Sequence, residues 1–368
     1  MPEVKKCDCV ESHSLISVII PAYQAVSTIK RAVDSVLSIP LDSVEVIVVD
    51  DGSTDGTAEV LSEISALDTR LRVVRQENSG RSVARNNGVS LSSGEWIMFL
   101  DADDYLLPGD YGALVDAAVV NDLGLIVCRH SRPDTHIAEI RDIRAALPDM
   151  SVVSAGSLKR VMVDGGWSDF VKDADRYEFN AAWSRLYRRD LIVATINHLG
   201  TNLAPFPLGL RFSEDRLFNL EYLWLLGDGK VGFVPFCAYH WDIDSSATCG
   251  VVRPQDVDSL VRYASVVETL RDRGLFDMRE TRLLISREFM GQFSKAVKAG
   301  TAFPEVREAW LRSFDALWLR GHLVECPLES LGVHGEWRPA WALLSRGHLR
   351  AAFALYGALA KVREVVKR

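Results

Sequence analysis

The chain has 368 residues, enough for more than one domain and for a large core. Hydrophobic residues make up 48% and charged residues 25%, which excludes a disordered, a collagen-like or a disulfide-stapled chain. A net charge of −8 argues against a nucleic-acid partner, which calls for basic patches facing phosphate.

Residues 1–14 read as an N-terminal tail. Within it, Cys7-Asp8-Cys9 offers two metal ligands, short of a zinc site, and the alternative is a frayed terminus. The six cysteines show no Cys-x-x-Cys pair, which points to a reducing, cytoplasmic setting. The first apolar run, Leu15 to Ile20, has strand length and does not form a secretory leader. No run of about 18 apolar residues predicts a membrane span.

Short β-branched or aromatic runs at Ile16–Ile20, Glu45–Val49, Leu71–Val74 and Trp96–Leu100 predict buried strands. Between them, Ile29, Val33, Val36 and Leu37 share a helical face, as do Val60, Leu61, Ile64 and Leu67. Ser53 or Thr54 is expected to cap the second of these helices. Gly109-Asp110-Tyr111-Gly112 opens a further helix, and Leu125–Cys128 predicts another strand. Residues 130–180 read as an excursion with short helices. A helix is predicted at Asp215–Leu226 and a strand at Lys230–Tyr239. From about Pro254 the pattern is only helical. Strand–helix alternation predicts an α/β fold with a mostly parallel sheet, whose ligands gather at the carboxyl ends of the strands.

Those strand ends carry unusual residues. They read Pro21-Ala22-Tyr23, then Asp50-Asp51-Gly52-Ser53-Thr54-Asp55, then Asn78-Ser79-Gly80 with Ala84-Arg85-Asn86, then Asp101-Ala102-Asp103-Asp104. One acidic turn is an ordinary loop; several on one sheet edge repel unless a cation lies between them. Asp-x-Asp on a short turn suits a hard cation such as Mg²⁺ or Mn²⁺ shared with phosphates.

In order and spacing, these four pieces resemble family 2 glycosyltransferases. Looser similarity runs through Trp183-Ser184-Arg185-Leu186-Tyr187 and Ser213-Glu214-Asp215-Arg216 to members that build bacterial surface polysaccharides and teichoic acids. The resemblance covers roughly residues 15–250 and implies a GT-A, Rossmann-like catalytic domain there, with a helical domain over 251–368 outside it. It implies that Pro21, Tyr23, Asp51, Asn78 and Arg85 hold the nucleotide, with Asp101 near the ribose or a metal-bound water. Tyr23 alone also fits core packing, and Arg85 also fits a structural ion pair. Asp103 is implied as the ligand of Mn²⁺ or Mg²⁺, and Asp104 reads as a helix or turn cap. Asp215 is implied as the general base of an inverting transfer, with Glu214 tuning it; both residues also suit a helix N-terminus on charge alone. His240 fits a second metal ligand or a satisfied structural histidine, and Trp183 an acceptor platform or core.

The resemblance thus implies a metal-dependent inverting enzyme. It would move sugar from a nucleotide sugar, UDP-linked by preference, to a hydroxyl of a surface glycan or lipid-linked acceptor. The rival is an inert module of the same fold that binds glycan or assists assembly. A nucleotidyltransferase would begin with a Gly-rich basic loop, unlike Pro21-Ala22-Tyr23-Gln24. At the C-terminal end, Leu349–Arg368 carries five basic residues against Glu364 beside an apolar face. That pattern suits peripheral contact with an anionic membrane at its inner face, or packing on the helical domain, or on a second copy in a homo-oligomer.

Overall fold

The computed structural model describes residues 16–40, 44–132, 142–165, 167, 170–242, 253–298, 303–315, 338–346, 348–352, 354–355 and 357–358. The first half alternates β1 (Ile16–Ala22), α1 (Ile29–Leu37), β2 (Val44–Asp50), α2 (Thr57–Ser65), β3 (Leu71–Arg75), α3 (Arg81–Leu91) and β4 (Trp96–Phe99). Then come β5 (Tyr105–Leu106), α4 (Tyr111–Val120), β6 (Leu123–Ser131), α5 (Ile143–Ala146), β7 (Ser151–Ser154) and α6 (Ala155–Asp164). The sheet is completed by β8 (Arg185–Arg188), followed by α7 (Arg189–Leu199), α8 (Glu214–Leu226) and β9 (Lys230–His240). Among the described residues there follow α9 (Pro254–Asp272), α10 (Met278–Lys298), α11 (Phe303–Asp315) and α12 (Arg338–Ser345).

The sheet runs β3-β2-β1-β4-β8-β6-β9-β5, with β7 also paired to β9. The first four strands are parallel, as their alternation with helices demands. The remainder is mixed. β8 lies antiparallel between β4 and β6, while β5 and β7 are antiparallel to β9. The sequence pattern did not show this polarity, because β8 returns from the irregular excursion rather than from a crossover helix.

β1, β2 and β4 are buried on both faces almost throughout, hence their apolar runs, while the edge strand β3 is only partly covered. On β1, Ile16, Val18 and Ile20 enter one cluster with Val33 of α1, Leu61 of α2 and Leu114 of α4. Ile19 points the other way, into a cluster with Ile97, Phe99 and Val89 of α3. That second cluster continues through Phe218 of α8 to Leu260 of α9, Phe289 of α10 and Trp310 of α11. The C-terminal helices therefore share one core with a face of the sheet.

One local expectation is corrected. Neither Ser53 nor Thr54 caps α2; its N-cap is Gly56, with no side-chain cap bond. Ser53 instead gives its amide to Asp50 Oδ1, which tightens the turn after β2. Asp110 does cap α4, accepting from the Ala113 amide. Among the described residues, no helix is long and apolar enough to cross a membrane. Cys7, Cys9 and most of the basic terminal segment, 359–368, lie outside the described residues.

α3 lies close on β1 at Gly88, where an added Cβ would stand 2.4 Å from Ile19 Cγ2. Ile19 is fully buried and β-branched, so it cannot turn aside. Gly88→Ala gains about 1 kcal/mol of helix propensity but overpacks the core at a cost of about 1–3 kcal/mol. A lowered urea midpoint is expected, against the rise that an open helical glycine would give.

Candidate functional site

The carboxyl ends of β1 and β4, the N-termini of α3 and α8, and the 178–183 segment surround a cleft of about 900 Å³. It brings together Pro21, Tyr23, Arg85, Asp101, Asp103 and Asp215, residues far apart in the chain. Tyr23 is 54% exposed, which excludes the core reading and leaves its ring open to a ligand.

Arg85 joins the two sides. Its side chain is 2% exposed, with Nη1 2.6 Å from Asp215 Oδ1 and Nη2 2.7 Å from Asp101 Oδ1. The guanidinium lies 5.1 Å over the Phe206 ring, and Glu214 Oε1 stands 3.8 Å from Nη1. Charge-assisted bonds of this kind are strong, and burial removes the water that would screen them. One helical turn earlier on the same face of α3, Arg81 pairs with Glu214. Arg85 thus makes the ion pairs that its alternative reading allowed, and it makes them with two expected site residues.

The environment tunes the carboxylates apart. Burial pushes the Asp215 carboxyl up, to about 6, while the Arg85 guanidinium opposes the rise and Glu214 adds to it. The second Asp215 oxygen accepts from the Ala182 amide at 3.3 Å. Asp104 is also pushed up, to about 8, by burial and the nearby Asp101. Its carboxyl is not the expected turn cap. It accepts from the Tyr239 hydroxyl and from the Asp242 amide, tying the β4 turn to the end of β9. Trp183 stacks on Tyr239 at 4.5 Å and lines the cleft together with Trp241.

Three expected residues sit apart from the cleft walls. Asp51 is buried, and its carboxylate accepts from Gln76 Nε2 and from the Ser79 and Gly80 amides at the start of α3. It uses three of about four acceptor positions on the chain's own donors. Asn78 is exposed on the same loop. His240 stacks on Tyr105 at 4.5 Å, and its Nδ1 lies 2.9 Å from Ser131 Oγ. The ring keeps a ligating Nε2 only in the tautomer whose Nδ1–H donates to Ser131. Among the described residues no three His, Cys, Asp or Glu side chains gather as a metal site. The donor set fits a cation of the Mg²⁺ or Mn²⁺ type even so, since these take one or two carboxylates and complete the shell with phosphate and water. Asp101 and Asp103 supply those hard oxygens on one wall.

Sequence reasoning missed Arg81, Glu178, Arg216 and Glu288, which also line the cleft. Arg81 was findable, four residues before Arg85. Glu288 was not: it stands on α10, and no local signal relates that helix to Asp215.

Residues 17–192 match the family model described as glycosyl transferase family 2. The uncharacterized glycosyltransferase EpsJ of Bacillus subtilis (strain 168) is 31% identical over 208 residues, 56% of this chain and 55% of EpsJ. The putative teichuronic acid biosynthesis glycosyltransferase TuaG of the same strain is 45% identical over 91 residues, 24% of this chain and 36% of TuaG. The chain thus spans little more than half of EpsJ and about a third of TuaG. In fold, the chain is similar to S. aureus TarS 1–349, solved in complex with UDP-GlcNAc. The TM-score is 0.65 at 17% identity, over 94% of this chain and 92% of that one.

Arg85→Met would leave Asp101 and Asp215 without the guanidinium between them. Breaking a buried pair from one side costs about 3–5 kcal/mol, so a loss of that size is expected in urea unfolding at pH 7. The loss should shrink at pH 5, where Asp215, with its pKa raised to about 6, is protonated and needs no counter-charge.

Proposed function

We propose that this chain, whose residues 17–192 are a glycosyl transferase family 2 domain, moves a sugar from a nucleotide-diphosphate sugar to an acceptor hydroxyl with inversion. One observation carries the reading: Arg85 binds Asp101 and Asp215 at once, so a donor-side acid and a candidate base share one cleft at fixed separation. Proximity of this kind is what a transfer between two bound substrates requires.

Tyr23 and Pro21 would pack the base of the nucleotide. Asp103, with Asp101 beside it, would hold a Mn²⁺ or Mg²⁺ ion, whose chemistry is to offset charge on the departing diphosphate. Asp51 supports this wall by ordering the loop before α3. His240 would serve as a ligand only in the tautomer described above. Asp215 takes the proton of the attacking hydroxyl. A UDP-linked donor is favoured because the structurally similar TarS was solved with UDP-GlcNAc. A surface glycan or lipid-linked acceptor is favoured because TuaG is named for teichuronic acid biosynthesis. We read 15–250 as the part that carries donor chemistry and 251–368 as the helical part. The cleft spans that division, since Glu288 of α10 lies on its wall.

The test is nucleotide release from a panel of UDP- and GDP-sugars with Mn²⁺, alongside UDP calorimetry. Release with at least one donor is expected; no release and no binding would sink the reading. Asp215→Asn should lower turnover by about a hundredfold or more while UDP binding is kept, since a general base contributes about 10²–10⁴. As a base, Asp215 works only when ionised. With its pKa raised to about 6, turnover should climb through pH 6 and level off above it.

A further inference from the structure

The turn that leads into Asp215 is held from outside the sheet. Arg211 Nε contacts Asp256 Oδ1 of α9 at 2.6 Å, and the Arg211 amide donates to Ser259 Oγ of α9 at 3.2 Å. Two residues on, the Ser213 hydroxyl donates to Glu288 Oε2 of α10 at 2.5 Å. Gln292, one turn further along α10, fixes the other Glu288 oxygen at 2.9 Å. Glu288 is 8% exposed and also lines the cleft.

Ser213 is the N-cap of α8, a place where serine ordinarily accepts from an amide of its own helix. Elsewhere in this chain the rule holds: Ser154 accepts from the Ser157 amide at the start of α6. Ser213 makes no such bond. Its backbone is left-handed, φ 56°, a conformation that costs a non-glycine residue energy. It gives its hydroxyl to a carboxylate 75 residues away instead. A cap is forgone and strain is held at the residue two before Asp215. Both make sense if the turn must sit in one place.

We infer that α9 and α10 latch the 211–213 turn and so set where Asp215 stands, with Glu288 as a positioning residue for the transfer. The inference rests on the reading of Asp215 as base. It gives the C-terminal helices a role in the reaction: they act through Ser213 on the group that receives the proton.

The test joins kinetics to hydrogen exchange. In Glu288→Ala, amide exchange over residues 211–217 should quicken about tenfold and turnover across the donor panel fall about tenfold, as small misplacements do. UDP affinity should stay within about twofold, because the donor wall is untouched. Glu288→Gln keeps an acceptor for the serine hydroxyl and should restore most of the turnover. Ser213→Ala removes the donor without changing the left-handed cost, so it should match Glu288→Ala, and the double variant should be no worse than either. Wild-type exchange in Glu288→Ala overturns the latch whatever the activity. So does a parallel fall in turnover and UDP affinity, the mark of general loosening. A wild-type chain that turns over no donor overturns the reaction reading itself, while the exchange result still decides whether the helices hold the turn.

Discussion

A guanidinium with almost no surface of its own lies between two carboxylates that arrive from opposite parts of the fold. Arg85 reaches Asp101, at the end of β4, and Asp215, in the first turn of α8, with one nitrogen each. Three backbones must converge for that to happen. Withdrawing the arginine would leave two half-buried carboxylates facing each other without a counter-charge, so the convergence is enforced by their repulsion as much as by attraction. The Phe206 face beneath the guanidinium closes the remaining side. The separation of Asp101 from Asp215 is therefore a property of the folded state rather than of any ligand.

From that constraint the chemistry of the cleft follows. Asp215 is buried enough for its pKa to rise, yet paired enough to stay ionised near neutrality. Its neighbour Glu214 is engaged by Arg81. Asp104, its pKa pushed up by burial and by Asp101, joins β9 to the β4 turn through Tyr239. Carboxylates that look alike in sequence are given different tasks by burial and by partner.

The sequence was most legible where the pattern is local. The runs Ile16–Ile20 and Trp96–Leu100 had to be buried strands, and strand-end turns had to share an edge once the strands were parallel. The residues that carried the family resemblance lie on that edge for the same reason. Polarity of β8 was not legible, because an excursion of irregular chain leaves either direction open. Nor was the side-chain traffic at the turns. Asp51 was expected to face the nucleotide and Asp104 to cap its own turn, but both carboxylates accept from amides of other segments in the fold. Glu288 was least legible of all, since its relation to Ser213 exists only after α10 has packed on α8's side of the sheet. Helical periodicity located that helix without indicating what its buried carboxylate would meet.

The helical region is thus continuous with the sheet in its packing, through Leu260, Phe289 and Trp310. It is continuous with the cleft as well, through Glu288. The most direct measurement of the whole account is a crystal structure of the chain with UDP. The account predicts the base against Tyr23 and Pro21, the diphosphate beside Asp103, and Asp215 across the cleft, still joined to Asp101 through Arg85. UDP bound away from the Asp101–Asp103 turn, or Asp215 on the same side as the diphosphate, would contradict it.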